Sequence, residues 1–180
     1  MRFVRTAIPD VVRVEPDVHR DGRGWFVETW SAERYRAGGV DATFVQDNRS
    51  RSVRGTLRGL HAQRRRPQGK LVQVVLGEIF DVAVDLRPGS PTYGRHVAEH
   101  LRAETAHQLW IPEGFAHGFV VLSDVAEVEY KVTAPWDPAD EVRIRWDDPD
   151  LAVAWPVASP SLSPKDAAAP TLRDAGYPPP

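Results

Sequence analysis

The chain has 180 residues, no cysteine, and 23 Lys plus Arg against 25 Asp plus Glu, a formal net charge of −2. That length suits one domain over residues 1–180 with a full core, and the near-neutral charge gives no global pull toward nucleic acid or an anionic membrane. Without cysteine there are no disulfides, thiolate zinc sites or cysteine nucleophiles. The start MRFVRTAIPD lacks an apolar signal core and no run approaches roughly 18 apolar residues, so a soluble cytoplasmic protein is expected.

The first predicted element is a helix of about two turns at SAERYRAGG, capped by Ser31 and stopped by Gly38-Gly39. Beyond it Arg49, Arg51, Arg54, Arg58, Arg64, Arg65 and Arg66 crowd together. Gly55, Gly59 and apolar residues at strand spacing interrupt the cluster, which argues against a groove for nucleic acid. Arg64 to Arg66 are expected in a solvated loop. Arg58, with Arg23 in DGRGWF, suits bidentate capture of a diphosphate.

From Lys70 onward period-two alternation dominates the chain. KLVQVVL sets Lys70, Val72, Val74 and Leu76 on one face, and Gly77-Glu78 breaks the run as a hairpin would. In FDVAVDL, Phe80, Val82, Val84 and Leu86 oppose Asp81, Ala83 and Asp85, which predicts a half-buried strand. RHVAEHL, HQLWIP, HGFVVLS, AEVEYKVT and EVRIRW are further strands, separated by turns such as PGSPTYG and PEG. So many short strands predict a sandwich or barrel. The tail from Trp155 carries Pro156, Pro160, Pro164, Pro170 and three terminal prolines, which predicts an extended arm lying on the barrel.

A polar side chain that shares the core face of a strand is either satisfied structurally or placed for chemistry. Tyr130 is in phase with Val128 and Val132, Lys70 with Val72 and Val74, and His117 with Phe119 and Val121. With His61 they offer a base, a cation, a second imidazole and a phenolic acid for one barrel mouth. Small β-barrels that hold a metal use paired histidines spaced HxH. Here the spacing is His61-Ala62-Gln63, and His96, His100 and His107 do not restore it, so no metal is expected.

Taken together, FVQDNRSRSVRGTLRGLHAQ, QGKLVQVVLGEIFDVAVDLRPGSPTYG, QLWIPEGFAHGF, YKVT, WDDPDLAVAWP and LSPKD resemble the dTDP-4-dehydrorhamnose 3,5-epimerase family over nearly the whole chain. The resemblance implies an all-β, cupin-type jelly-roll barrel with short peripheral helices, a homodimer with exchanged strands, and no metal or cofactor. It implies a dTDP-4-keto-6-deoxyhexose substrate in deoxysugar biosynthesis. It matches His61 to the catalytic base, Asp166 to its carboxylate partner, Tyr130 to the acid across the sugar and Lys70 to the cation near the carbonyl oxygen. Arg58, His117 and Lys165 fall around the substrate. Arg23, Phe26, Glu28, Gln46, Asn48 and Glu141 fall in nucleotide and diphosphate recognition, some of them from a partner subunit.

A 4-keto sugar has acidified C–H bonds at C3 and C5, so inversion needs a base on one face and an acid on the other. Imidazole titrates near working pH, and an ammonium stabilises the enolate oxygen more than the ketone. The chain departs from the family pattern after YKVT, where Ala134-Pro135 precede Trp136, a substrate-pocket residue standing where a tyrosine beside the sugar is expected. His19 replaces a common aromatic and Arg49 a frequent histidine. Inversion at C3 alone, or at C5 preferentially, is the alternative outcome; a 3,4-ketoisomerase and a non-catalytic sugar-nucleotide-binding cupin are the others.

Overall fold

The computed structural model describes residues 1–177; Pro178 to Pro180, part of the expected arm, lie outside the described residues. Thirteen strands and two short helices are present among them. Strands β1 (Arg2–Arg5), β2 (Val12–Glu15), β5 (Gln46–Val53), β7 (Lys70–Leu76), β10 (Gln108–Ile111) and β12 (Val125–Val132) form a six-stranded sheet in the order β1-β2-β10-β7-β12-β5. Strands β6 (Leu57–Gln63), β8 (Glu78–Asp85), β9 (His96–Arg102), β11 (Phe115–Val121) and β13 (Glu141–Arg143) form a five-stranded sheet in the order β13-β6-β11-β8-β9. Pairing within both sheets is antiparallel. From β5 to β8 each strand enters the sheet opposite its predecessor, which is the winding of a jelly-roll barrel.

This winding creates three apolar layers. Between the sheets lie Val72, Val74, Ile79, Ala83, Phe119, Val121 and Val128. Outside the six-stranded sheet, Val12, Val14, Leu71 and Trp110 pack under Tyr35 of helix α1 (Ala32–Ala37). Ser31 caps that helix and Gly38 ends it, as the sequence predicts. Outside the five-stranded sheet, Leu60, Val82, Val84 and Leu86 are covered by Ile144, Leu151 and Leu172 of the C-terminal segment. That segment lies on the barrel as expected, but it is not wholly extended: Ser163 caps a short helix α2 (Pro164–Ala167), and Thr56 bridges to Ser161.

Three expectations need correction. FDVAVDL is buried on both faces, not half-buried, because its Phe80/Val82/Val84/Leu86 face meets the C-terminal segment while Asp81, Ala83 and Asp85 point between the sheets. Gly77-Glu78 does not close a hairpin; the chain there passes from one sheet to the other. Gly77 adopts φ +80°, and a Cβ on it would lie 2.2 Å from the Val125 carbonyl oxygen. Leu76 leaves the face that strict alternation gives it because pairing shifts at Glu127/Val128, and its side chain is exposed. The strands before Lys70 are not among those predicted from the sequence; two of them, β3 (Val18–Asp21) and β4 (Gly24–Val27), form a separate two-stranded ribbon.

Candidate active site

A cavity of about 560 Å³ opens between the two sheets. His61 and His117 contribute from neighbouring strands of the five-stranded sheet, where they are Cα partners. Lys70 and Tyr130 contribute from β7 and β12 of the opposing sheet. The β6–β11 contact that aligns the histidines depends on a glycine pair. A Cβ on Gly59 would meet the Gly118 Cα at 2.4 Å, and one on Gly118 would meet the Arg58 carbonyl oxygen at 2.9 Å. The strands therefore approach more closely than side chains permit.

His61 Nε2–H donates to Asp166 Oδ1 at 2.6 Å. The other carboxylate oxygen accepts from Ser163 Oγ at 2.9 Å, and Ser163 Oγ in turn accepts from the Asp166 backbone N–H at 3.1 Å. The N-cap of α2 thus fixes the rotamer of the acid that orients the imidazole. Burial alone would push the Asp166 carboxyl up, but the hydrogen bond and charge of His61, with Ser163 and Arg143, together hold it below the ordinary carboxylate range. With the proton on Nε2, the His61 lone pair is on Nδ1.

Lys70 is 7% exposed, and its ammonium donates to the His61 carbonyl oxygen at 3.5 Å. Burial lowers its pKa to about 8, against the opposing charges of Asp81 and Glu141. Burial also raises the Tyr130 phenol above its usual value, partly offset by Arg58, so it keeps its proton. His117 Nε2–H donates to Asp81 Oδ2 at 2.8 Å, and burial pushes that imidazole down.

Gln46, Asn48 and Ser50 line the wall from alternate positions of β5, with Arg58, Glu141, Trp136 and Lys165 around them. Arg58 Nε donates to Ser52 Oγ at 3.0 Å, and Gln46 Nε2 to Asn48 Oδ1 at 2.7 Å. The Trp136 indole N–H donates to Glu141 Oε1 at 3.4 Å, and Glu141 also pairs with Arg143.

Arg23, Phe26 and Glu28 are not brought to this cavity. Arg23 sits at the turn of the β3–β4 ribbon, paired with Asp21 and almost wholly exposed; Phe26 is 69% exposed on the same ribbon. Glu28 faces Arg34 at 3.5 Å. His19 is on that ribbon opposite Phe26, and Arg49 pairs with Glu129 on the outer face of the sheet.

Sequence reasoning missed Asp81, Ser163 and Arg143. Asp81 alternates with the apolar residues of FDVAVDL, which by itself indicates a solvent face; only the covering segment shows that this face is interior. Among the described residues no group of three or more His, Cys, Asp or Glu side chains converges as a metal-binding set, and each cavity imidazole already spends one nitrogen on a carboxylate. No helix among them is long and apolar enough to cross a membrane.

Comparison with known proteins identifies the family. The sequence profile described as dTDP-4-dehydrorhamnose 3,5-epimerase matches residues 5–174. A curated Pseudomonas aeruginosa dTDP-4-dehydrorhamnose 3,5-epimerase is 54% identical over 97% of this chain and 98% of its own length. A crystal structure of the Legionella pneumophila dTDP-6-deoxy-D-glucose-3,5-epimerase in complex with dTDP-4-keto-L-rhamnose superposes with TM-score 0.92 at 49% identity, covering 96% of this chain and 93% of that one. A 3'-monoepimerase from Streptomyces bikiniensis in complex with dTDP-quinovose gives TM-score 0.89 at 36% identity, over 97% of this chain and 89% of that one. A jelly roll whose paired sheets enclose a histidine–carboxylate couple, matched along almost its full length by such relatives, places this chain in the dTDP-4-dehydrorhamnose 3,5-epimerase family of isomerases.

Proposed function

We propose that the chain inverts C3 and C5 of a dTDP-4-keto-6-deoxyhexose by proton transfer through an enolate, with no metal or organic cofactor. His61 Nδ1 removes the proton α to the ketone. Asp166 holds the imidazole in the required tautomer and stabilises the imidazolium that forms. Charge develops on the C4 oxygen, where the Lys70 ammonium meets it more strongly than it meets the ketone. Tyr130, its phenol kept protonated by burial, returns a proton from the other side. One observation carries this reading: His61 and Tyr130 stand on opposed sheets and line one cavity with Lys70.

Arg58, His117, Gln46, Asn48, Glu141 and Lys165 bind the sugar and diphosphate around that axis. Arg23, Phe26 and Glu28, absent from the cavity of one chain, serve the cavity of a second copy in a homodimer; the exposed aromatics of the β3–β4 ribbon support this. No nucleic-acid partner is expected, since the exposed arginines of β5 are matched by Glu127 and Glu129.

The test is epimerisation in deuterium oxide with dTDP-4-keto-6-deoxyglucose, monitored by NMR. Deuterium is expected at both C3 and C5; exchange at neither position overturns the reading. Tyr130→Phe is expected to retain exchange while losing inversion, and His61→Asn to lose both. Trp136 gives a specific reason to weigh single-centre inversion, because its indole lines the sugar cavity and donates but does not accept a hydrogen bond. Deuterium at C3 alone would establish that outcome.

A further inference from the structure

We infer that Asp81, a residue behind the cavity wall, is a positioning residue for the epimerisation: one carboxylate oxygen fixes the His117 ring and the carboxylate charge keeps the Lys70 side chain an ammonium. The inference rests on the epimerase reading for the role of Lys70.

Asp81 is fully buried and does not line the cavity; His117 stands in front of it. Its Oδ2 accepts from His117 Nε2–H at 2.8 Å, whereas Oδ1 is buried with no hydrogen-bond partner among the described residues. A buried carboxylate with an idle oxygen is costly unless a nearby cation compensates its charge. Lys70 offers that cation from the inward face of the opposing sheet, where it is likewise buried. Its ammonium is buried, its 3.5 Å hydrogen bond to the His61 carbonyl oxygen is long, and Asp81 is the strongest charge opposing the desolvation of that ammonium.

The other groups that line the cavity with Lys70 leave this role to Asp81. His61 and Arg58 come from β6, His117 from β11 and Tyr130 from β12. None of these supplies a carboxylate. Glu141, from β13, is already engaged by Arg143 and by the Trp136 indole, Asp166 of α2 is spent on His61 and Ser163, and Arg143 and Lys165 add only positive charge to the cavity. From β5 the wall carries Gln46, Asn48 and Ser50, all uncharged. His117 is held neutral by burial, with its Nε2–H spent on Asp81 and Nδ1 left as an acceptor, so the positive charge resides on Lys70.

The experiment uses Asp81→Asn, which keeps the shape and removes the charge, with lysine labelled at 13Cε. The chain has only Lys70, Lys131 and Lys165, and Lys70→Met assigns the resonance. The Lys70 midpoint is expected to fall by about one pH unit, the alkaline limb of kcat/KM to fall with it, and Asp81→Glu to restore both. An unmoved Lys70 midpoint, or lost activity with an unmoved limb, overturns the inference. If Asp81→Asn does not fold, 15N-histidine spectra of the unmutated protein decide: His117 must be neutral with its proton on Nε2 at about pH 7, and either Nδ1–H or an imidazolium overturns it. Both NMR measurements need no turnover, so their failure is separable from failure of the deuterium test.

Discussion

Asp166 Oδ1 lies 2.6 Å from His61 Nε2, although 105 residues separate them. The C-terminal segment that seals the outer face of the five-stranded sheet also delivers the carboxylate that orients the proposed base. Asp166→Asn preserves the shape but offers an amide in place of an acceptor-only group, so the Nε2–H tautomer loses its preference. The expected result is a loss of roughly two to four powers of ten in kcat, measured as the rate of deuterium entry. Thermal unfolding should show the variant still folded.

Lys70 should set both an activity limb and a stability cost. Its folded pKa of about 8 lies below its unfolded value, so between about 8 and 10.4 the unfolded chain binds more protons and stability rises with pH. At neutral pH the buried ammonium therefore costs stability. Thermal melts of the unmutated protein are expected to show stability rising between about pH 8 and about 10, and Lys70→Met is expected to abolish epimerisation. In the unmutated enzyme kcat/KM should decline as pH rises through about 8. A limb that stays unmoved up to the ordinary lysine range would remove Lys70 from the charge-stabilising role.

Asp85, which does not line the cavity, provides an acid-stability test. It accepts from Arg87 Nε at 2.9 Å, Ser90 Oγ at 2.6 Å and Thr92 Oγ1 at 2.6 Å, closing the PGSPTYG turn onto the barrel. Burial opposes its ionisation, but the Arg87, Ser90 and Thr92 bonds together lower its pKa to about 2. Its contribution is fully present above the ordinary carboxylate value near 3.9 and is lost as pH falls through about 2. Asp85→Asn should lower stability at neutral pH by on the order of 1–2 kcal/mol after allowance for screening at the loop. The difference between the two proteins in thermal melts should shrink toward pH 2.

The β3–β4 ribbon carries Trp25 at 63% and Phe26 at 69% exposure. Ring surface left this open is expected to be covered by a second copy. Light scattering should give twice the chain mass for the unmutated protein and a shift toward one chain mass for Trp25→Ser with Phe26→Ser. A single chain mass without the substitutions would contradict the homodimer and, with it, the placement of Arg23, Phe26 and Glu28 in a neighbouring cavity.

The ribbon also shows why part of the candidate site is hard to place from sequence. Residue chemistry groups Arg23 with Arg58 for diphosphate capture, yet Arg58 lines the cavity and Arg23 stands outside it. Nothing in residue spacing states whether a short ribbon folds back onto its own barrel. By contrast, the inward orientation of Tyr130 and His117 is legible because a strand sends alternate side chains to opposite faces, whatever the fold around it.

Period-two alternation in the sequence by itself determined a strand-dominated chain and the inward phase of Lys70, His117 and Tyr130 along their own strands. Tertiary structure alone decided which of two faces counts as outside. Phe80, Val82 and Val84 could not bury themselves within their strand, and the C-terminal segment buries them. That packing turns Asp81 inward against His117 and brings Asp166 to His61, because solvent exclusion is a property of the assembled layers and not of any one strand.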